Sequence, residues 1–133
     1  MKAVLDTNVL VSGLINTALA PGRIVDRVRT RTLQLVVDDR ILAEYRSVLL
    51  GRRIRAWVDE ADARDLLPFL FVDSEQIVAT VSVRGLPDES DVPFLETAMT
   101  AGVPLVTGNR KHFPAAACRK HPVLTPGEFL RLL

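Results

Sequence analysis

Oxygen-bearing side chains recur in this chain at points where apolar runs stop. Asp6 follows Ala3-Val4-Leu5, Asp88 and Asp91 flank Glu89-Ser90, and Thr107-Gly108-Asn109 follows Leu105-Val106. Glu44 sits inside Ile41-Leu42-Ala43-Glu44-Tyr45, at the rim of an apolar stripe. Gathered in one place, such carboxylates would repel, and each would be driven toward its protonated form unless a cation joined them. A donor set of Asp, Glu and Asn oxygens suits Mg²⁺ or Mn²⁺ better than zinc. Mg²⁺ keeps several of its waters, so it can hold a phosphate oxygen and activate a water together. That chemistry is phosphodiester hydrolysis. Each acid also has an ordinary alternative. Asp6 and Asp91 are good helix N-caps, and Glu44 is equally a surface residue whose stem covers apolar area. Convergence on one edge is what separates the readings.

The elements that must position these residues follow from pattern. Ala3 to Leu5 is too short for a helix and has the character of a strand buried on both faces. Asn8 to Ile15 reads as a short helix, weakened at Gly13. Pro21 suits the first turn of the next, with Ile24, Val25 and Val28 as its apolar side. Leu33 to Val37 is a strand, and Asp38 caps a third helix that runs to about Leu50, before Gly51. Ile41, Leu42, Tyr45, Val48 and Leu49 form its inward stripe. A fourth helix starts near Asp59, with Pro68 expected to bend or end it. Ile77 to Val81 reads as a strand and Gly85 to Ser90 as an acidic loop. Pro93 opens a fifth helix ending at Ala101-Gly102, whose inward face carries Asp91, Phe94, Leu95 and Ala98. Val103 to Val106 is a strand, followed by a loop from Thr107 to Phe113. Val123-Leu124 leads into a capping box, Thr125 to Glu128, and a closing helix over Phe129 to Leu133. Strands alternating with helices imply a three-layer α/β/α domain around a parallel sheet. Its carboxyl edge is where ligands collect.

Composition limits the rest. A chain of 133 residues, 48% hydrophobic and 25% charged, is expected to be one soluble domain with a real core. Net charge is only +1 and aromatic content 5%, which exclude coating nucleic acid by bulk charge or by stacked rings. Cys118 is the sole cysteine, so neither a disulfide framework nor a cysteine zinc site is available. Asp6 and Asn8 interrupt any apolar leader and no run approaches a membrane span, so the expected location is cytoplasmic.

Four blocks carry a family resemblance: Val4-Leu5-Asp6-Thr7-Asn8-Val9-Leu10, Ile41 to Tyr45, Asp88 to Ala98, and Leu105 to Asn109. In order and spacing they resemble the PIN domain, and most closely the toxin components of bacterial toxin–antitoxin modules, the VapC-like ribonucleases. The resemblance covers nearly all of the chain, residues 1–133. It implies an endoribonuclease dependent on Mg²⁺ or Mn²⁺, neutralised by an antitoxin protein and often a homodimer. Asp6, Glu44 and Asp91 match the catalytic acids, and Asp6, Asp91 and the additional Asp88 would hold the metal. Asn8 and Thr107 would support them. Asn109 stands where the family commonly has a fourth acid, which removes one negative charge and weakens the case for a second ion. Glu44 would complete the metal shell or take a proton from the attacking water.

RNA also needs cations. Arg110 and Lys111, directly after Asn109, are the best placed. The arginines at 23, 27, 29 and 31 read more simply as a solvated helix face, and Arg52, Arg53 and Arg55 form a second basic run beside Trp57. His112 and His121 read as surface or loop histidines. Two other functions compete. One is a PIN-like domain that binds RNA or protein with little or no cutting, which Asn109 makes plausible. The other is a receiver-like Mg²⁺-binding signalling domain, for which no mid-chain strand offers a phosphoacceptor Asp. Phosphate-loop and dinucleotide patterns are missing.

Overall fold

A computed structural model describes residues 1–133. Five parallel strands lie in the order β3-β2-β1-β4-β5: β1 Lys2–Leu5, β2 Gln34–Val37, β3 Glu75–Gln76, β4 Leu105–Val106 and β5 Val123–Leu124. Seven helices join them: α1 Thr7–Ile15, α2 Ala20–Arg29, α3 Asp39–Leu49, α4 Glu60–Phe71, α5 Val92–Ala101, α6 Ala115–Cys118 and α7 Pro126–Leu130. Parallel neighbours require crossovers, and the helices supply them. Ala3, Val4 and Leu5 are each 0% exposed. Successive strand residues point to opposite faces, so three buried in a row mean that both faces are covered. Val36 and Val37 repeat the pattern on β2. Each Val or Leu so buried contributes roughly 1.5–3 kcal/mol.

The sequence pattern and the structure agree on most elements and part at a few. Ile77–Val81 is not a strand; β3 is only Glu75–Gln76. The backbone N–H groups of Thr80 and Val81 instead donate to the Thr100 hydroxyl, and that of Val83 to Glu96, both on α5. Side chains of a helix take the place of a neighbouring strand. Pro68 does not end α4, which continues to Phe71 with Leu66 and Leu70 fully buried on either side of it. The capping box at Thr125 and Glu128 is present, but the helix it opens stops at Leu130. The segment after Thr107 holds a 3₁₀ turn over Arg110–His112, and α6 follows it. Gly102 closes α5 at φ +67°, the left-handed value that favours glycine.

Candidate metal centre

The strand order reverses between β1 and β4: from β1 the chain goes outward through β2 and β3, and from β4 outward through β5. The carboxyl side of such a switch point is a crevice, because the crossovers leave it in opposite directions. Asp6 ends β1 and Thr107 ends β4. They meet across the crevice, with the Thr107 hydroxyl donating to Asp6 Oδ2 at 2.8 Å. The Asp6 backbone N–H donates to Val106 O at 2.9 Å and fixes the register of the two ends.

Further bonds extend outward from this pair. Asn8 Nδ2 donates to Asp6 Oδ2 at 3.3 Å, while Asn8 Oδ1 accepts from the Gly108 N–H at 3.1 Å. The Asn109 N–H donates to Thr107 Oγ1 at 3.0 Å. The Asn109 amide Nδ2 lies 2.8 Å from His112 Nε2, and His112 Nδ1 lies 2.9 Å from Asp91 Oδ2. With Nδ1–H donating to Asp91 and Nε2 accepting from the amide, every contact pairs a donor with an acceptor. From α3, Glu44 accepts from the Thr7 hydroxyl, and the buried Tyr45 hydroxyl donates to Leu5 O at 2.5 Å, directly behind Asp6.

Neither Asp6 nor Asp91 uses its side chain as a cap, although each holds the N-cap position of a helix, α1 and α5 respectively. The capping alternative therefore fails for both. Asp38 shows the contrast: it accepts from the Ile41 N–H at 2.9 Å and pairs with Arg40. Asp88, exposed, accepts from the Ser90 N–H and hydroxyl.

Burial is the main force on the acids. It raises Asp6, Glu44 and Asp91 above their ordinary carboxylate values. The Thr107 hydroxyl pulls Asp6 back and the charge of Asp91 pushes it further up. The Thr7 hydroxyl lowers Glu44, while the charges of Asp6 and Asp88 raise it. Asp91 is eased by His112 and opposed by Asp88 and Glu44. The bonds from Ser90 hold Asp88 low. No lysine or arginine contributes to any of these balances. Acids that raise one another, with no lysine or arginine among them and one imidazole beside Asp91, are a donor set that a divalent cation fits. The tightest group is Asp88, Asp91 and His112, whose ligand atoms all lie within 4.8 Å of one another.

The expected residues thus gather at one edge, with two departures. His112, expected at the surface, is half-buried between Asp91 and Asn109, because the 3₁₀ turn over Arg110–His112 swings its ring inward. Its spacing of three from Asn109 is one turn of such a helix, the one signal for it in the sequence. Arg110 is paired with Glu128 of α7, whereas Lys111 is exposed and unpaired. Elsewhere, Trp57 is 69% exposed, Cys118 is buried, and His121 bonds Val103 O.

An open α/β sheet with a carboxylate crevice at its switch point defines a class of ligand-binding domains. Its strand order, 3-2-1-4-5, differs from the 2-1-3-4-5 order of receiver-like domains. Residues 2–111 match the family model of the PIN domain, and the chain belongs to that family. Two solved structures share its fold. One is VapBC2 from Rickettsia felis bound to a DNA fragment from its promoter, at 15% identity and a TM-score of 0.59, over 93% of this chain and 97% of that one. The other is VapBC-1 from nontypeable Haemophilus influenzae, at 15% identity and a TM-score of 0.58, over 93% and 96% of the two chains. No curated protein sequence matches the chain. No helix is long and apolar enough to cross a membrane.

Proposed function

We propose that this PIN domain is an endoribonuclease dependent on Mg²⁺ or Mn²⁺, acting in the cytoplasm as the toxin of a toxin–antitoxin pair. The observation that carries the reading is the crevice itself: Asp6, Glu44 and Asp91 are raised by burial and by neighbouring acids, with no lysine or arginine to offset them and only His112 easing Asp91. Asp6 and Asp91, joined by Asp88, would hold the ion. The ion when bound supplies Lewis acidity to a phosphodiester and its attacking water. Thr107 and Asn8 keep the Asp6 carboxylate turned into the crevice. Glu44, held by Thr7, is placed to take a proton, and its raised affinity for one suits that task. Exposed Lys111 meets the RNA backbone, and Arg110 does so on release from Glu128. An antitoxin partner and a homodimer are proposed with it. The fold shared with two VapBC structures supports the toxin role.

Incubation of the protein with single-stranded and structured RNA, in Mg²⁺, Mn²⁺ or EDTA, tests the reading. Cleavage in either metal is expected, and Asp6→Asn should abolish it. Cleavage that persists in EDTA or in the variant would falsify the assignment. RNA binding without cutting in any metal selects the second reading, a binding domain, which the neutral Asn109 favours. Growth arrest on expression, relieved by a small neighbouring gene product, tests the toxin role.

A further inference from the structure

The donor atoms nearest one another in the crevice include a nitrogen that the oxygen-only reading omits. We propose that His112 is a direct ligand of the metal ion, sharing it with Asp91 and Asp88. This proposal rests on the metal-dependent reading above. It narrows the donor set to carboxylates plus one imidazole.

Three observations carry it. The ligand atoms of Asp88, Asp91 and His112 all lie within 4.8 Å of one another. His112 Nδ1 is 2.9 Å from Asp91 Oδ2. Adjacent ligands of an octahedral ion, each about 2.1 Å from it, stand about 3 Å apart, so the two atoms already have the spacing of neighbours in one shell. Finally, the far ring nitrogen, Nε2, is held by the side-chain amide of Asn109 at 2.8 Å. A ligating histidine ordinarily donates its other ring N–H to an oxygen, which fixes the ring and its tautomer.

Asn109 is suited to that exchange because an amide offers both a donor and an acceptor. Without an ion, its NH₂ donates to Nε2 while Nδ1–H faces Asp91. When Nδ1 gives up its proton to coordinate, Nε2 takes one up, and the amide turns its oxygen to receive it. Asn109 then positions the ligand rather than coordinating. The asparagine at this place thus has a physical use beyond the loss of a charge.

Imidazole favours transition metals, while Mg²⁺ prefers oxygen ligands and water. The centre should therefore bind Mn²⁺ more tightly than Mg²⁺, through His112. Pulsed electron paramagnetic resonance on the Mn²⁺-loaded full chain reads ¹⁴N coupling from a directly bound ring. Wild type should show that coupling, and folded His112→Gln should lose it while still binding Mn²⁺. Titration calorimetry should give a Mn²⁺ affinity lower on the order of tenfold in the variant. Mg²⁺ affinity should change far less. Mn²⁺ bound to wild type without ¹⁴N coupling, or coupling retained in His112→Gln, overturns the proposal and leaves the metal-dependent reading standing. Failure of wild type to bind either ion overturns both.

Discussion

Replacing Thr107 with valine keeps the shape of a fully buried side chain and deletes one hydroxyl. That hydroxyl donates to the Asp6 carboxylate at 2.8 Å and accepts from the Asn109 N–H at 3.0 Å. A hydrogen bond to a charged group contributes about 1.5–3 kcal/mol, and a half-buried N–H left unpartnered costs about 1 kcal/mol more. Thr107→Val should therefore lower unfolding stability by about 2–4 kcal/mol at pH 7 in EDTA, a large share of the roughly 5–15 kcal/mol of a typical domain. Thr107→Ser retains the hydroxyl and loses one methyl, for about 1 kcal/mol. The valine effect should also depend on pH. The Thr107 bond favours ionised Asp6, so its contribution is present while Asp6 is charged. It fades as pH falls through the raised Asp6 value toward the ordinary 3.8. Urea unfolding at pH 7 and near pH 4 measures both claims. Equal losses for valine and serine, or a valine loss that ignores pH, would refute the placement of this bond at the heart of the site.

Asp6→Asn is nearly isosteric, and because Thr107 and Asn8 both contact the same oxygen, an amide oxygen there can keep both bonds. In EDTA at pH 7 the variant should be at least as stable as wild type, since a buried charge is gone. Saturating Mn²⁺, which at a hundred times its Kd stabilises wild type by about 2.7 kcal/mol, should do little for it. Thermal melts with and without the ion read both. Raised acids add stability below their ordinary values that is lost as pH rises through their folded values. The contributions of Asp6, Glu44 and Asp91 should therefore make metal-free wild type gain stability as pH falls from their raised folded values toward the ordinary 3.8 to 4.5, and bound Mn²⁺ should flatten that slope. Gly22→Ala would put a methyl 2.3–2.5 Å from backbone atoms of Thr17, so the tight entry to α2 must open, at a loss of about 3 kcal/mol by chemical denaturation. Tyr45→Phe should cost about 1–2 kcal/mol in the same assay, by removing the bond to Leu5 O behind Asp6.

Much of this arrangement was legible because the local and global signals agree. A short, wholly apolar run ending in a carboxylate announces a buried parallel strand and the edge where it stops. The alternation of such runs with helical stripes carries the layer order. Legibility failed where long-range contacts override local pattern. Ile77 to Val81 has the β-branched composition of a strand, yet after Ile77, whose N–H still reaches Val37 O, the amides of Thr80 and Val81 find Thr100, twenty residues later in the case of Thr80. No propensity encodes that partner. Asp6, Asp38 and Asp91 all stand at helix N-caps, and only Asp38 of the three caps with its side chain. The distinction depends on what lies opposite each in space: Thr107 across the switch point, Arg40 in the next turn, His112 from a distant loop. His112 escaped for the same reason. It has no companion at ligand spacing in the sequence, and its partner Asp91 lies 21 residues away.

The distribution of buried polar groups argues that this edge was shaped by something other than packing. Six polar residues are buried: Asp6, Thr7, Asp38, Asp91, Thr97 and Thr107. Asp38 is accounted for by its cap and its arginine, and Thr97 lies inside α5 with an unpartnered hydroxyl. The other four stand at the carboxyl edge, bonded to Asn8, Glu44, Asn109 and His112 or to each other. Apolar residues of similar volume would spare the fold the repulsion among Asp6, Glu44 and Asp91. Keeping the acids makes the metal-free protein less stable than its core permits. Threonine hydroxyls, an amide and one imidazole offset only part of the cost of burying those carboxylates, and with no lysine or arginine beside them the edge is suited to a positive charge supplied from solution.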